Sequence, residues 1–160
     1  MLRFSAEVQG VVELDRAFNR VNEYISDFRS IWPSVTTTVY GIFNQQFASE
    51  GAHGASGTWK PLSPAYKKWK EVNYPGQPIL KLTNSLYESL SSPEGLDSIY
   101  RPERDSLTIG SKVPYAARHQ KDRPIISLTE SDKREITKSI QLPLVQFIRK
   151  TVFMVMENAA

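Results

Sequence analysis

Leu2, Phe4, Ala6 and Val8 alternate with Arg3, Ser5, Glu7 and Gln9. That period of two predicts a half-buried strand, closed by Gly10. The period then lengthens. Leu14, Phe18, Val21, Ile25, Phe28 and Trp32 are separated by alternating steps of four and three, which puts them on one stripe of a helix. Pro33 suits the first turn of a second helix. Its stripe is Val35, Val39, Ile42, Phe43 and Phe47, with Gly51 as the C-terminal cap. The β-branched run Thr36 to Thr38 argues against that helix.

Residues 51–62 read as a long loop, with Gly51, Gly54 and Gly57 among small polar residues and Trp59-Lys60-Pro61-Leu62 at its end. Ser63 and Pro64 open a short helix carrying Tyr66 and Trp69, and Asn73-Tyr74-Pro75-Gly76 turns the chain after it. Thr83 is placed as the cap of another short helix with Leu86 and Leu90 inside. Ser98 to Arg101 and Leu107 to Ile109 predict a hairpin joined through Arg104-Asp105. Ile125 to Leu128 predicts a further short strand. Thr129 and Asp132 have capping-box spacing for a last helix through Ile136 and Ile140. Pro143 is expected to kink or restart that helix, and Leu144, Phe147, Ile148, Val152 and Val155 continue its stripe.

These elements predict one α+β domain over residues 1–160. A small antiparallel sheet is flanked by long amphipathic helices, with a long glycine-rich loop. The C-terminal helical segment 143–160 is expected to pack on the core, with projection to a neighbouring subunit as the alternative.

Composition narrows the chemistry more than the fold. The chain has no cysteine, which excludes a disulfide scaffold, a thiolate zinc site and a cysteine nucleophile. A net charge of +3 is too small to establish nucleic-acid binding by itself. Glu7 interrupts the N-terminus before an apolar run forms, so no secretory signal is expected. Leu142 to Met156 holds Gln146, Arg149 and Lys150 and is shorter than the ~20 apolar residues of a membrane span. No membrane partner is expected.

The glycines of the loop lack the Gly-Lys-Ser/Thr of a phosphate loop and the strand-before, helix-after context of a dinucleotide fingerprint. They read as a flexible loop. His53 and His119 have no second histidine or acid at metal-ligand spacing on a helix and read as structural or interface residues. No serine lies in Gly-x-Ser-x-Gly. No acid stands out in an apolar context, although a carboxylate pair for glycoside hydrolysis is a third, less favoured possibility. We therefore expect no enzyme activity, no metal and no cofactor.

Lys60, Lys67, Lys68, Lys70 and Lys81 are interleaved with Trp59, Tyr66, Trp69 and Tyr74. A nucleic-acid-binding module would use such a mix for phosphates and base stacking. The preferred alternative packs the aromatics inward and leaves the lysines solvating an outer face. Arg101, Arg104, Lys112, Arg118, Lys121 and Arg123 form a second basic series, offset by Glu103, Asp105 and Asp122. It reads equally as an interface or lumen wall and as an ordinary solvated surface.

One ordered set of residues is more distinctive. It runs from Phe47, Glu50 and Gly51 to Trp59-Lys60-Pro61-Leu62-Ser63, then Ile79-Leu80-Lys81-Leu82-Thr83 with Leu86, Ser89 and Leu90. It ends with Ile109-Gly110-Ser111, Tyr115-Ala116-Ala117-Arg118-His119-Gln120 and Arg123-Pro124. In order and spacing, about residues 40–128 resemble the phage virion morphogenesis family, the tail-completion proteins of tailed bacteriophages. The family often has Thr-Gly where this chain has Thr83-Asn84, and asparagine tolerates the left-handed backbone such a turn needs. The family usually follows His-Gln with an aromatic and a glycine. Here Lys121-Asp122 lead straight to Arg123.

The resemblance implies structural work: a subunit that forms a homo-oligomeric ring in the neck of the virion and joins tail to head. The implied partners are copies of itself, tail-terminator and head-completion or connector proteins, and DNA passing through the lumen without sequence-specific contact. Assembly would take place in the bacterial host cytoplasm. Trp59, Pro61, Leu62, Leu80, Thr83 and Leu86 become structural anchors, and Tyr115, His119 and Gln120 are expected on a turn between strands. Lys67, Lys68, Lys70, Arg101, Arg104, Lys112, Arg118 and Arg123 become candidate interface or lumen residues. Loop 51–58 and both termini are expected to reach neighbours.

Overall fold

The computed structural model describes residues 11–158, so the strand expected over 2–9 and the final two residues lie outside them. In chain order come α1 (Val11–Ile25), a 3-10 turn (Phe28–Ser30), α2 (Trp32–Ala48), α3 (Pro64–Asn73), α4 (Ser85–Ser91), β1 (Ser98–Pro102), β2 (Leu107–Ser111), α5 (Ala116–Asp122) and α6 (Glu130–Asn158). The fold is α+β, as the pattern predicts. The strands pair antiparallel from Ser98 opposite Ser111 to Pro102 opposite Leu107.

Helix α2 organises the molecule. Pro33 lies in its first turn, and Val35, Ile42, Phe43 and Phe47 are buried along it. Three residues four apart on α2 tie it to the hairpin. The Trp32 indole donates to the Glu103 carbonyl at 2.6 Å, Thr36 donates to the Tyr100 hydroxyl at 3.2 Å, and Tyr40 shares a 3.2 Å hydrogen bond with Ser98. The threonine run therefore does not break the helix. Thr36 is consumed by this contact, while Thr37 and Thr38 donate to the carbonyls four residues back.

Two apolar clusters form along α2. Ile31, Trp32 and Val35 pack with Tyr24, Phe28, Leu107, Ile136, Ile140 and Leu144. At the other end, Phe43, Phe47, Trp59, Leu86, Leu90, Val113 and Ile125 close the main core.

Several expectations are corrected. The stripe from Leu14 to Trp32 is not one helix. Asp27 caps a 3-10 turn by accepting from the Arg29 N–H, and the Phe28 N–H donates to the Arg104 carbonyl, so the chain is redirected between α1 and α2. Leu14, Phe18 and Ile25 consequently point outward. Helix α4 is preceded by Asn84 rather than Thr83, and Asn84 is left-handed at φ 63°. Residues 125–128 form no strand: the Ile125 and Ile126 N–H groups donate to the Gln120 side chain. Pro143 does not restart α6, which is continuous around it. Ile140 and Leu144 both pack against the Ile31–Trp32–Val35 cluster, holding the helix on either side of the proline.

Helix α2 ends in a Schellman motif whose left-handed position is Glu50 (φ 47°), not Gly51. The Gly51 N–H reaches the Gln46 carbonyl at 3.0 Å and the Glu50 N–H the Phe47 carbonyl at 3.4 Å. Gly51 is needed for two other reasons. Its φ is +92°, and a Cβ there would lie 2.4 Å from Cδ1 of Trp59. Gly51→Ala is expected to lower stability by about 1–3 kcal/mol, read as a lower denaturant midpoint at unchanged slope.

Helix α6 starts with a reciprocal cap. The Thr129 N–H donates to Asp132 at 2.8 Å and the Asp132 N–H to the Thr129 hydroxyl at 3.1 Å. The buried Asp132 carboxylate also accepts from His53 Nε2 at 3.0 Å. Burial alone would push the Asp132 pKa up, but the hydrogen bonds from Thr129 and His53 outweigh it and hold the carboxyl below its usual value. The stabilisation is thus complete above the ordinary aspartate range and is lost as pH falls through the lower folded-state value. Asp132→Ala is expected to cost about 1–2 kcal/mol near neutral pH, and Asp132→Asn to flatten the acid limb of the stability profile. Denaturant melts across pH 2–7 would check both.

Candidate functional site

Trp59 is buried at 3% exposure, edge-on to Phe47 at 5.6 Å, and its indole donates to the Pro124 carbonyl at 2.8 Å. The same carbonyl accepts from the Gln46 side chain at 3.1 Å. Arg123 reaches back, with Nε on the Lys60 carbonyl at 2.7 Å and Nη2 on that of Pro61 at 3.2 Å. Gln120 closes the arrangement by accepting from Ile125 and Ile126 and donating to the Ile126 carbonyl at 3.0 Å. The Trp-x-Pro-Leu segment and the His-Gln segment, distant in sequence, therefore form one clamp.

Tyr115, His119 and Gln120 do not lie on a turn between strands. Tyr115 precedes α5, and His119 and Gln120 are within it, with the Tyr115 and His119 rings edge-on at 5.5 Å. The seven-residue helix follows the β2 exit, where Val113 is buried and accepts the Ala116 N–H. His119 is held below the ordinary imidazole value by burial and by the charges of Arg123 and Arg118, against a smaller opposing effect of Asp122.

The clamp forms one wall of a groove of about 710 Å³ between α3, the 80–84 segment and α5. Of the expected anchors, Pro61, Leu62, Leu80, Thr83, Leu86, Tyr115 and His119 all line it. Trp59 and Gln120 do not line it but support its wall from behind. Leu80 has φ 63°, a costly conformation for a branched side chain, and the N–H of Ile79 beside it is held by Glu50 at 2.7 Å.

The basic residues divide. Lys67, Lys68, Arg101, Arg104, Lys112 and Arg118 are exposed. Lys70 is not: it is 4% exposed, and its ammonium donates to the Pro78 carbonyl at 2.5 Å. Burial lowers its pKa, partly offset by the charge of Glu50. It is removed from the solvent-facing set because it turns inward to Pro78 and lines the groove. Arg123 is half-buried and serves the clamp. Arg104 serves the α1–α2 junction, where Nε donates to the Ser26 carbonyl. Of the second basic series, Arg104 and Arg123 thus have structural partners, while Arg101, Lys112, Arg118 and Lys121 are exposed.

The aromatics of the 59–74 segment also depart from expectation. Trp59 is inside, but Tyr66, Trp69 and Tyr74 are exposed. They form an outward stack, with Tyr66 on Trp69 at 5.4 Å and Trp69 beside Tyr74 at 5.7 Å.

Comparisons with family models, with curated proteins and with solved structures found no match to the chain.

Loop 51–58 is docked along one side. Ser56 donates through its N–H to Ser127 Oγ at 2.9 Å, Ala55 to the Ser127 carbonyl at 3.4 Å, and His53 pairs with Asp132. Ala52 and residues 55–58 stay exposed. Among the described residues, no three metal-capable side chains converge, and no helix is long and apolar enough to cross a membrane.

Leu82 and Asp122 also line the groove, although the sequence pattern did not mark Leu82 as an anchor or Asp122 as more than a charge offset. A signal existed for Leu82. Leu80 and Leu82 alternate around Lys81, as for a segment packed on one side, yet the run is too short to show a period.

Proposed function

We propose that this chain is a structural virion subunit, a tail-completion or neck protein that self-associates into a ring and helps join tail to head. The observation that carries self-association is a two-helix arm with apolar outer faces. Helix α1 lies along α6, with Tyr24 stacked on Phe147 at 3.9 Å, and Ala17 and Thr151 are buried. Outside that seam Val11, Leu14 and Phe18 of α1 and Val152, Phe153 and Met154 of α6 remain exposed. Large apolar side chains left exposed on both helices are the kind of surface from which an association site is built. The place in the particle rests on the resemblance of residues 40–128, whose motif residues gather at one groove and its supporting clamp.

A knock-out in the phage carrying the gene tests this. The expected result is separate full heads and finished tails by negative-stain microscopy, with joining restored by added purified protein. Normal particles from the knock-out would reject the reading.

A second reading, single-stranded nucleic-acid binding, is favoured by the outward Tyr66–Trp69–Tyr74 stack beside Lys67 and Lys68. It predicts affinity that falls steeply with salt and is lost in Trp69→Ala. Salt-independent or absent binding at low ionic strength removes it.

A further inference from the structure

The groove combines two chemistries that the ring reading does not use. Its lining is in part aliphatic, from Pro61, Leu62, Leu80, Leu82 and Leu86. It is also cationic: Lys60, Lys70, Lys81 and Arg123 line it with a single carboxylate, Asp122. Among the described residues none of these four cations has a carboxylate within ion-pair distance. Arg123 is directed by backbone carbonyls, and Lys81 sits over the Tyr87 ring at 3.5 Å. Lys70 is the most telling: a buried lysine whose ammonium donates to the Pro78 carbonyl and, among the described residues, forms no ion pair, although the charge of Glu50 acts on it. A buried charge left so poorly paired is costly, and a ligand carboxylate in the groove would relieve that cost. The strained Leu80 backbone shows that the wall shape is held against a local preference.

We propose that this groove docks an extended peptide segment of a partner protein, with acidic side chains meeting its lysines and arginine and apolar side chains meeting its proline and leucines. The aliphatic lining favours a peptide over a nucleotide, because it offers apolar area where a phosphate needs converging donors. The proposal goes beyond the assembly reading and stands or falls separately from it, since it concerns one protomer and a peptide.

The test is fluorescence anisotropy with the full chain and three labelled probes at low salt. One is a short peptide alternating glutamate with leucine and phenylalanine, the second its glutamine-for-glutamate counterpart, and the third an oligothymidine of similar length. Saturable binding of the acidic peptide is expected, at least about ten-fold tighter than the glutamine peptide. Lys60→Glu with Lys81→Glu should weaken it by at least about ten-fold, the exposed Lys60→Glu alone should weaken it at an unchanged melting temperature, and Arg101→Glu on the hairpin should leave it unaltered. Equal binding of the glutamine peptide, tighter binding of the oligothymidine, indifference to the lysine reversals, or no binding at millimolar peptide would each overturn the proposal.

Discussion

Trp59→Ala is expected to lower the unfolding free energy by about 3–5 kcal/mol, a large part of the total for a domain of this size. Three losses coincide at that residue. The indole is buried against Phe47 in the main core. Its N–H satisfies the Pro124 carbonyl, which would keep only Gln46. Gly51 is shaped to receive the ring, so its removal opens a cavity that a loop end cannot refill. Trp59→Phe separates these effects, because it keeps much of the packing and loses the hydrogen bond, and it should cost about 1–2 kcal/mol. Urea denaturation of both variants checks the order. If alanine cost less than phenylalanine, or both cost nothing, the clamp would not be what holds the loop.

The second large effect is on association. Phe18 and Phe153 are each 65% exposed on the arm. Phe18→Asp with Phe153→Asp should change the stability of the isolated protomer by less than about 0.5 kcal/mol. It should weaken self-association by about a hundred-fold or more, as expected for aromatic anchors at the centre of an interface. Sedimentation velocity across a concentration series reads the association, and a parallel thermal melt reads the fold. An unchanged oligomer would move the interface elsewhere. A collapsed melting temperature would show that these faces are core after all.

Much of the main core was legible because its signals were local. Pro33 and the stripe from Val35 to Phe47 gave α2, Ser63-Pro64 gave α3, and the Thr129–Asp132 spacing gave the start of α6. What misled were places where distant contacts outweigh a local pattern. The Leu14–Trp32 spacing is perfect for one helix, yet Arg104 of the hairpin takes the Phe28 N–H and bends the chain. Ile125 to Leu128 looks like a strand, but Gln120 supplies the partner a neighbouring strand would have offered. Pro143 should interrupt a free helix, and packing on both sides overrides it. The groove was half legible. Its residues stood out in order along the chain, but nothing local says that Lys70 turns inward while Trp69 turns out. Helical spacing allows either face, and the choice depends on where Pro78 returns.

Closed self-association is the property on which the proposed role in the virion depends. Class averages of the purified full-length protein, vitrified at assembly concentrations, should show rings of one rotational symmetry with an open centre. Isolated protomers at every concentration, or open chains that never close, would contradict it.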